Sequence, residues 1–314
     1  MEAFAFTNLP ARARICEVGP RDGLQIEPGN VTTAQKIRYI DLLAASGLPL
    51  IEAGSFVHPK LVPQMADTAE VLAGIAKPAG VRFLVLTPNL RGFERALAAG
   101  ANAIAVFTAA SETFAKRNIN MTIDESLAVA RDVLAAARSR GIWTRASIST
   151  AFGCPYEGAV PVANVVRVAR ALLGLGVDEL SIADTIGVGT PNQVIEIVAA
   201  LQPFAPLERV GMHFHDTRGT ALANVLAALQ CGITQFDASS GGLGGCPFAP
   251  GATGNVATED MLYLLNGMGI ATGVDLEKVR DASRYIASIL GRPLASRAYT
   301  ALEAQRTRPS TSSG

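Results

Sequence analysis

Short apolar runs alternate with longer stretches of helical spacing along most of the chain. The short runs are rich in β-forming residues and predict eight strands, over Arg14–Asp22, Leu50–Phe56, Arg82–Pro88, Ala103–Ala109, Trp143–Thr150, Glu179–Thr185, Arg209–Asp216 and Gln235–Leu243. The Ala- and Leu-rich stretches between and after them predict eight helices, over Thr32–Ser46, Leu61–Ile75, Gly92–Ala99, Ile123–Arg140, Val160–Leu173, Pro191–Leu201, Thr220–Gln230 and Val256–Met268. Eight uninterrupted repeats of this α/β pattern favour one (β/α)8 TIM barrel over two separate domains.

Several helix ends are marked by their residues. Thr122 is followed three positions later by Glu125, which predicts a capped helix start there. Glycines that follow helical runs predict left-handed helix ends, at Gly47, Gly100, Gly141, Gly176 and Gly232. Leu276–Leu290 predicts an additional C-terminal helix outside the barrel. We expect one domain over residues 1–303 and a disordered tail over residues 304–314, because the last residues are rich in Ser, Thr and Pro.

The composition excludes several functional classes. Of the 314 residues, 49% are hydrophobic, and the 27 basic side chains balance the 27 acidic ones, so a nucleic-acid partner is not expected. The four cysteines are far apart, which favours free thiols in the reducing cytoplasm. We expect no signal peptide and no membrane partner, because no apolar stretch of about 18 residues occurs.

Two of the three histidines, His213 and His215, lie two positions apart in the seventh predicted strand. Residues at this spacing point to the same side of a strand, and Asp216 follows directly. The pair is therefore either a set of metal ligands or two packed, hydrogen-bonded histidines.

Other polar residues end neighbouring strands, where a barrel of this type places its chemistry. They are Arg21 and Asp22 after strand one, Glu52 and Ser55 in strand two, Asp184 in strand six, and Asn255 beyond strand eight. Asp22, His213, His215 and the Asn255 amide form a mixed oxygen and nitrogen ligand set, which suits Mg²⁺ or Mn²⁺ better than a structural zinc ion. Arg21 is placed to stabilise a carbonyl or enolate oxygen.

A glycine-rich segment, residues 241–255, follows strand eight and contains Cys246. Glycine and proline allow unusual backbone angles, so this cysteine is either an incidental thiol in a turn or an acid, base or nucleophile at the barrel mouth.

Several of these segments together resemble the hydroxymethylglutaryl-CoA lyase family of metal-dependent barrels. The resemblance extends from about Arg14 to Leu290, and its motifs are Glu17–Gln25, Ile51–Lys60, Leu86–Leu90, Lys116–Asn120, Gly153–Gly158, Asp184–Pro191, His213–Thr217, Gly242–Pro247 and Gly254–Asp260. It implies a divalent-metal-dependent cleavage of 3-hydroxy-3-methylglutaryl-CoA to acetyl-CoA and acetoacetate. An acyl-CoA substrate and, as in related enzymes, a possible homodimer follow as expectations.

The resemblance also implies roles for individual residues. Asp22, His213, His215 and Asn255 match the metal ligands, and His213 is also the leading candidate for the base. Arg21 matches the arginine that polarises the thioester carbonyl, and Cys246 matches a cysteine that serves in proton transfer. Glu52 is expected beside the metal as an orienting group, and Asp184 near the substrate or behind the ligands.

Further side chains are candidates for contact with the substrate. Ser55 and Ser181 either donate hydrogen bonds to the substrate carboxylate or are buried hydroxyl groups bonded to the backbone. Tyr156 and Asn120 lie in matching motifs that follow strands five and four. Arg218 departs from the family pattern and adds a cation near the barrel mouth. The resemblance therefore does not decide which acyl chain the substrate carries.

Three alternatives remain at this stage. The first is a lyase for another 3-hydroxyacyl-CoA, such as citramalyl-CoA or a longer alkyl homologue, which would use the same catalytic residues. The second is an acyl-CoA condensing enzyme, which predicts a further domain for which we see no room after Leu290. The third is a non-enzymatic barrel that binds a metal or CoA and tolerates the loss of Cys246.

Overall fold

The computed structural model describes residues 9–29, 31–245 and 254–306, and they form a closed barrel of eight parallel strands. In barrel order the strands are β1 (Arg14–Glu17), β2 (Leu50–Ser55), β3 (Arg82–Leu86), β4 (Ala103–Ala109), β5 (Trp143–Ser149), β6 (Glu179–Asp184), β7 (Val210–Phe214) and β8 (Gln235–Ala238). β1 pairs with β8 and closes the ring, with Cys16 opposite Asp237. The predicted TIM barrel is confirmed.

Eleven α-helices lie in the described residues. They are α1 (Thr33–Ala44), α2 (Thr68–Gly74), α3 (Leu90–Ala98), α4 (Glu112–Ile119), α5 (Ile123–Arg138), α6 (Val162–Gly174), α7 (Pro191–Leu201), α8 (Ala221–Gln230), α9 (Thr258–Gly267), α10 (Leu276–Leu290) and α11 (Arg297–Arg306). None of the helices in these ranges is long and apolar enough to cross a membrane.

The predicted helix ends agree with the structure. Thr122 and Glu125 exchange the side-chain and backbone hydrogen bonds of a capping box at the start of α5. The five glycines predicted to end helices all have positive φ angles, from +65° at Gly141 to +92° at Gly47. Local sequence signals were therefore sufficient to place these boundaries.

Strands one and eight are shorter than the sequence predicts. The chain leaves β1 at Glu17 and forms a π-helical turn over Gly19–Gly23, in which the Val18 carbonyl accepts three backbone N–H groups. β8 ends at Ala238, and a 3₁₀ turn over Ser240–Gly242 follows. Both turns lie at the carboxyl ends of their strands, so the residues beyond them bend over the barrel mouth.

Three helical predictions need correction. The stretch Leu61–Ile75 is a 3₁₀ turn over Pro63–Met65 followed by the shorter α2, and α4 was not predicted because its polar residues weaken the periodic pattern. α11 extends to Arg306, three residues into the segment predicted as a tail. The rest of that segment lies outside the described residues.

The inside of the barrel is divided by polarity. Towards β1–β4 it is mainly apolar, apart from the buried Glu52, with Cys16, Val18, Leu50, Leu84, Leu86, Ala103 and Ala105 in one cluster. Towards β5–β8 it carries buried polar and charged side chains, namely Arg145, Glu179, Ser181, His213 and Asp237. The larger apolar core lies between the strands and the surrounding helices.

Candidate metal centre and active-site cavity

His213 in β7 and His215, which directly follows that strand, converge at the carboxyl end of the barrel, as predicted. Both are buried, and the Nε2 atoms of His213 and His215 are 3.1 Å apart. The Nδ1 atom of His213 is 3.1 Å from Asp237 Oδ2. Two imidazole nitrogens that face each other at this distance are suited to one shared ligand between them.

Asp22 and Asn255 reach the histidines from two other segments. Asp22 Oδ2 is 3.9 Å from His215 Nε2 and accepts a hydrogen bond of 2.8 Å from Asn255 Nδ2. Asn255 also forms an antiparallel bridge with His215 and donates to the Leu243 carbonyl. The chain passes Asn255 so closely at Gly244 that a Cβ there would lie 2.5 Å from Nδ2, which explains a glycine at this position.

These residues fit a metal ion. Candidate ligand atoms of Asp22, His213 and His215 all lie within 4.8 Å of one another. The buried Oδ1 of Asn255 has no hydrogen-bond partner in the part of the chain that the structure describes. An unsatisfied buried oxygen beside a carboxylate and two imidazoles favours a cation with oxygen and nitrogen ligands.

His213 is supported by an ionic network that the sequence reasoning missed. Asp237 accepts a hydrogen bond of 2.6 Å from Arg145 and one of 3.1 Å from Ser181. Arg145 also pairs with Glu179 at 2.9 Å, and Glu179 pairs with Arg14. The missed signal was a charged residue in the middle of a predicted strand, Arg145 in β5 and Asp237 in β8.

This network sets the charge on His213. Burial alone would raise the pKa of Asp237, but Arg145 and His213 lower it far below its ordinary range, so the carboxylate is ionised. Burial likewise opposes the charged form of His213, but the hydrogen bond and charge of Asp237 outweigh it and raise the pKa of the imidazole. The Nδ1–H of His213 therefore donates to Asp237, and Nε2 faces the candidate metal centre.

Arg21 bridges two carboxylates at the cavity wall. Its guanidinium contacts Asp22 at 2.7 Å and Glu52 at 2.6 Å. Burial disfavours its charge, but these two carboxylates raise its pKa above the ordinary value, so Arg21 stays cationic. Its buried Nε has no hydrogen-bond partner among the described residues. Glu52 thus orients Arg21, and its predicted role as a group that orients the metal ligands stays a prediction.

A cavity of about 700 Å³ opens above these residues. Arg21, Asp22, Glu52, His213 and His215 line it, together with Ser181 and Asn120 from the predicted substrate set. Asn120 ends α4 in a left-handed conformation, with φ of 54°. The cavity therefore brings together most of the residues that the sequence singled out.

Three predicted residues have other surroundings. Both carboxylate oxygens of Asp184 accept backbone N–H groups of the following loop, at 3.0 Å from Val188 and 2.8 Å from Gly189. Ser55 accepts from Val57 N at 3.2 Å, so its hydroxyl is bonded to the backbone. Tyr156 lies beneath the guanidinium of Arg117, 4.3 Å from its ring centroid. None of the three is among the described residues that line the cavity, and their predicted roles remain predictions.

Cys246, the predicted proton-transfer residue, lies outside the described residues. Gly245, which precedes it, lines the cavity. Arg218, the additional cation near the mouth, donates to the carbonyls of Ile186 and Gly187 at 3.1 and 2.9 Å and so holds the loop after β6.

Fold and site together define a class of protein, a (β/α)8 barrel with a candidate divalent-metal centre at the carboxyl end of its strands. Residues 12–286 match the family model described as HMGL-like. The chain therefore belongs to the HMGL-like family, and its predicted relation to hydroxymethylglutaryl-CoA lyases is confirmed.

Individual relatives agree with this assignment. The chain is 53% identical over 283 residues to the mitochondrial hydroxymethylglutaryl-CoA lyase of Gallus gallus, covering 90% of this chain and 95% of that protein. It is also 53% identical over 298 residues to a 3-hydroxy-3-isohexenylglutaryl-CoA/hydroxy-methylglutaryl-CoA lyase of Pseudomonas aeruginosa, covering 95% and 99%. A crystal structure of hydroxymethylglutaryl-CoA lyase from Pseudomonas aeruginosa superposes with a TM-score of 0.93 at 52% identity, covering 95% of this chain and 100% of the other.

Proposed function

We propose that this protein cleaves 3-hydroxy-3-methylglutaryl-CoA to acetyl-CoA and acetoacetate by a retro-Claisen reaction. One observation carries the proposal: the buried Asp22, His213 and His215 group and the Arg21 guanidinium line one cavity in a chain of the HMGL-like family. The reaction needs a base for a hydroxyl proton and a cation for the developing enolate, and these residues are suited to both.

Asp22, His213, His215 and Asn255 would hold a divalent ion, for which we propose Mg²⁺ or Mn²⁺ because of the mixed oxygen and nitrogen ligands. When bound there, such an ion acts as a Lewis acid that makes a substrate hydroxyl more acidic and stabilises nearby negative charge. The buried Oδ1 of Asn255 has no hydrogen-bond partner among the described residues and is the atom that Asn255 would offer to the ion.

His213 takes the proton of the substrate's C3 hydroxyl in this mechanism. Asp237 holds its Nδ1–H, so the lone pair of the neutral imidazole is on Nε2, and His213 lines the cavity. The O–H electrons form the new carbonyl of acetoacetate while the bond between C2 and C3 breaks. Both roles proposed for His213, ligand and base, use this one lone pair, so they exclude each other at any instant.

Arg21 stabilises the negative charge that develops on the thioester oxygen as the bond breaks. Its Nε is a free buried donor among the described residues, while Asp22 and Glu52 hold the two Nη groups in place. A fixed cation needs no reorganisation when the enolate forms, which is the basis of this kind of stabilisation. A proton on C2 completes acetyl-CoA, and we propose Cys246 as its donor.

The test is the release of acetoacetate from 3-hydroxy-3-methylglutaryl-CoA with Mg²⁺ or Mn²⁺, before and after chelation. We expect activity that is lost on chelation and restored by added metal. Cys246→Ala and Arg21→Met are expected to lower kcat by at least about 100-fold, as loss of one stabilising donor does in other enzymes. Turnover that survives complete chelation would exclude the metal from the mechanism.

A second candidate substrate carries a longer alkyl group at C3. The apolar side of the cavity, which includes Leu84, Leu86, Ala105 and Phe107, offers surface for such a group. The Pseudomonas aeruginosa relative carries an isohexenylglutaryl substrate in its name. Comparing kcat/KM across methyl, longer alkyl and citramalyl substrates decides between the candidates.

We also propose a cytoplasmic location, since the free thiols suit a reducing compartment, although the relative from Gallus gallus is mitochondrial by name. Cell fractionation tests this location. The homodimer remains a prediction, and sedimentation of the purified protein tests it.

A further inference from the structure

Glu17, the last residue of β1, is a fully buried carboxylate that the proposed reaction does not use. One of its oxygens, Oε1, accepts two backbone N–H groups, from Gly19 and from Ser240, each at 2.8 Å. Its Oε2 accepts from the Thr258 hydroxyl at 2.7 Å. A single side chain thus joins three segments that are distant in sequence.

Each of these segments leads to a candidate metal ligand. Gly19 begins the π-helical turn that carries Asp22. Ser240 begins the 3₁₀ turn that precedes Leu243, whose carbonyl accepts from the Asn255 amide. Thr258 begins α9, three residues after Asn255. Glu17 therefore controls the spacing between the segments of Asp22 and Asn255.

The space around this carboxylate is filled. A Cβ at Gly19 would lie 2.6 Å from Glu17 Oε1 and 2.6 Å from the hydroxyl oxygen of Tyr39. The Tyr39 hydroxyl in turn contacts the Ser240 side chain. Any displacement of Glu17 must therefore move the backbone of the turns or the Tyr39 ring.

Glu259 holds the same 3₁₀ turn from the outside. Its two oxygens accept from Gly241 N at 3.1 and 2.8 Å, and Ser283 of α10 contacts it. Among the described residues, neither Glu17 nor Glu259 has an ion-pair partner. Burial, only partly opposed by these hydrogen bonds, raises the pKa of each carboxyl to about 7.

We propose that Glu17 and Glu259 are positioning residues that hold the turns of the barrel mouth, so that Asp22 and Asn255 meet at one ion. The inference rests on the proposed metal site, and it adds two residues that touch neither the ion nor the substrate. Because they act through the ligands, their loss weakens metal affinity beyond any effect on folding.

The test measures the dissociation constant of Mn²⁺ with the full-length, metal-free protein by electron paramagnetic resonance. The variants are Glu17→Ala, Glu17→Gln and Glu259→Ala. Glu27→Ala is the matched control, because Glu27 is also buried but pairs with Arg292 rather than with the turns. The folded fraction of each variant is measured in the same samples by circular dichroism.

We expect E17A and E259A to raise the dissociation constant at least about 10-fold in the folded fraction. E17Q should stay within about 3-fold of the wild type, since its amide oxygen still accepts both N–H groups and its NH₂ can donate to the Thr258 hydroxyl. E27A should leave the constant unchanged. Unchanged affinity in E17A and E259A, or an equal loss in E27A, would overturn the positioning role.

Failure of the wild-type protein to bind Mn²⁺ would contradict the proposed metal site itself, and the positioning inference with it. If E17A does not fold, Thr258→Val replaces it, because it removes one of the three donors to Glu17 and retains the shape of the side chain. An unchanged constant in both T258V and E259A would then overturn the inference.

Discussion

The two sides of the candidate metal centre are held by opposite kinds of electrostatics. Behind His213, the carboxylate of Asp237 is ionised and neutralised by Arg145. Behind Asp22 and Asn255, Glu17 and Glu259 meet backbone N–H and hydroxyl donors but no described cation, and their pKa values are raised to about 7. The supporting carboxylates behind the two sides therefore depend on different conditions, Asp237 on its ion pairs and the two glutamates on pH.

This difference follows from where the residues lie. The ionic network is inside the barrel, where neighbouring strands bring oppositely charged side chains into contact at fixed spacing. The two glutamates lie beneath irregular turns, whose backbone N–H groups are not used in the sheet and need acceptors. The two glutamates do not need a cationic side chain as partner, because the turns supply backbone N–H donors to their carboxyl oxygens.

The largest effect on stability is expected from removing Arg145 from the ionic network behind His213. Arg145→Met leaves Asp237 and Glu179 buried with less compensation, so the free energy of unfolding should fall by about 3–5 kcal/mol. Urea denaturation measures this change. Arg131→Met, at an exposed pair with Asp132, is the control and should change stability by less than about 1 kcal/mol. Equal effects of the two variants would contradict the role assigned to burial.

The second prediction concerns how the stabilisation by Glu17, beneath the turns of the barrel mouth, depends on pH. A glutamate whose pKa rises from 4.5 to about 7 on folding stabilises the protein fully below pH 4.5, and this stabilisation is lost as the pH rises through 7. Tyr39 and Glu259 are the titratable groups that face Glu17, and the charge of Glu259 adds to the rise.

Urea denaturation of wild type and Glu17→Gln at several pH values isolates this contribution. Relative to E17Q, the wild type should lose about 3 kcal/mol of stability between pH 4.5 and 7. Glu125→Gln is a suitable control, since Glu125 is at the surface and its pKa is lowered. A stability difference between wild type and E17Q that does not change with pH would show that Glu17 titrates normally.

The third prediction separates orientation from charge at His213. Asp237→Asn retains the shape of the side chain but removes the carboxylate that accepts from Nδ1–H, so the wrong tautomer of His213 becomes accessible. We expect kcat and metal affinity to fall about 10- to 100-fold, as for other residues that orient metal-ligating histidines. Steady-state kinetics and Mn²⁺ titration measure these effects, and unaltered values for both would remove Asp237 from the site.

The smallest effect is expected at Ser181, the weakest member of the same network. Ser181→Ala removes one hydrogen bond of 3.1 Å to Asp237, which keeps its contacts with Arg145 and His213. Stability should fall by about 1 kcal/mol, measured by urea denaturation. A change in KM larger than the change in kcat would indicate that Ser181 also contacts the substrate, as the sequence predicted.

The sequence was sufficient for the repeating architecture and for the convergence of three candidate ligands, because both follow from the order of strands and the residues at their ends. Strand and helix periodicity gave the barrel, and the strand ends placed Arg21, Asp22 and the two histidines together. It was insufficient for Asp237 and Arg145, whose partnership depends on the register between strands 92 residues apart. It also did not show that backbone N–H groups of the following loop bind both oxygens of Asp184, because these contacts form only in the folded loop.

The closure of the barrel between its first and last strands has a consequence for how the protein is made. Asp22 and Asn255 are 233 positions apart, and β1 meets β8 only when nearly all of the barrel has been synthesised. A growing chain therefore contains both histidines well before it contains a complete ligand set. High-affinity uptake at the proposed metal site should therefore mark the closing of the ring, and a bound ion would hold the two ends of the barrel together.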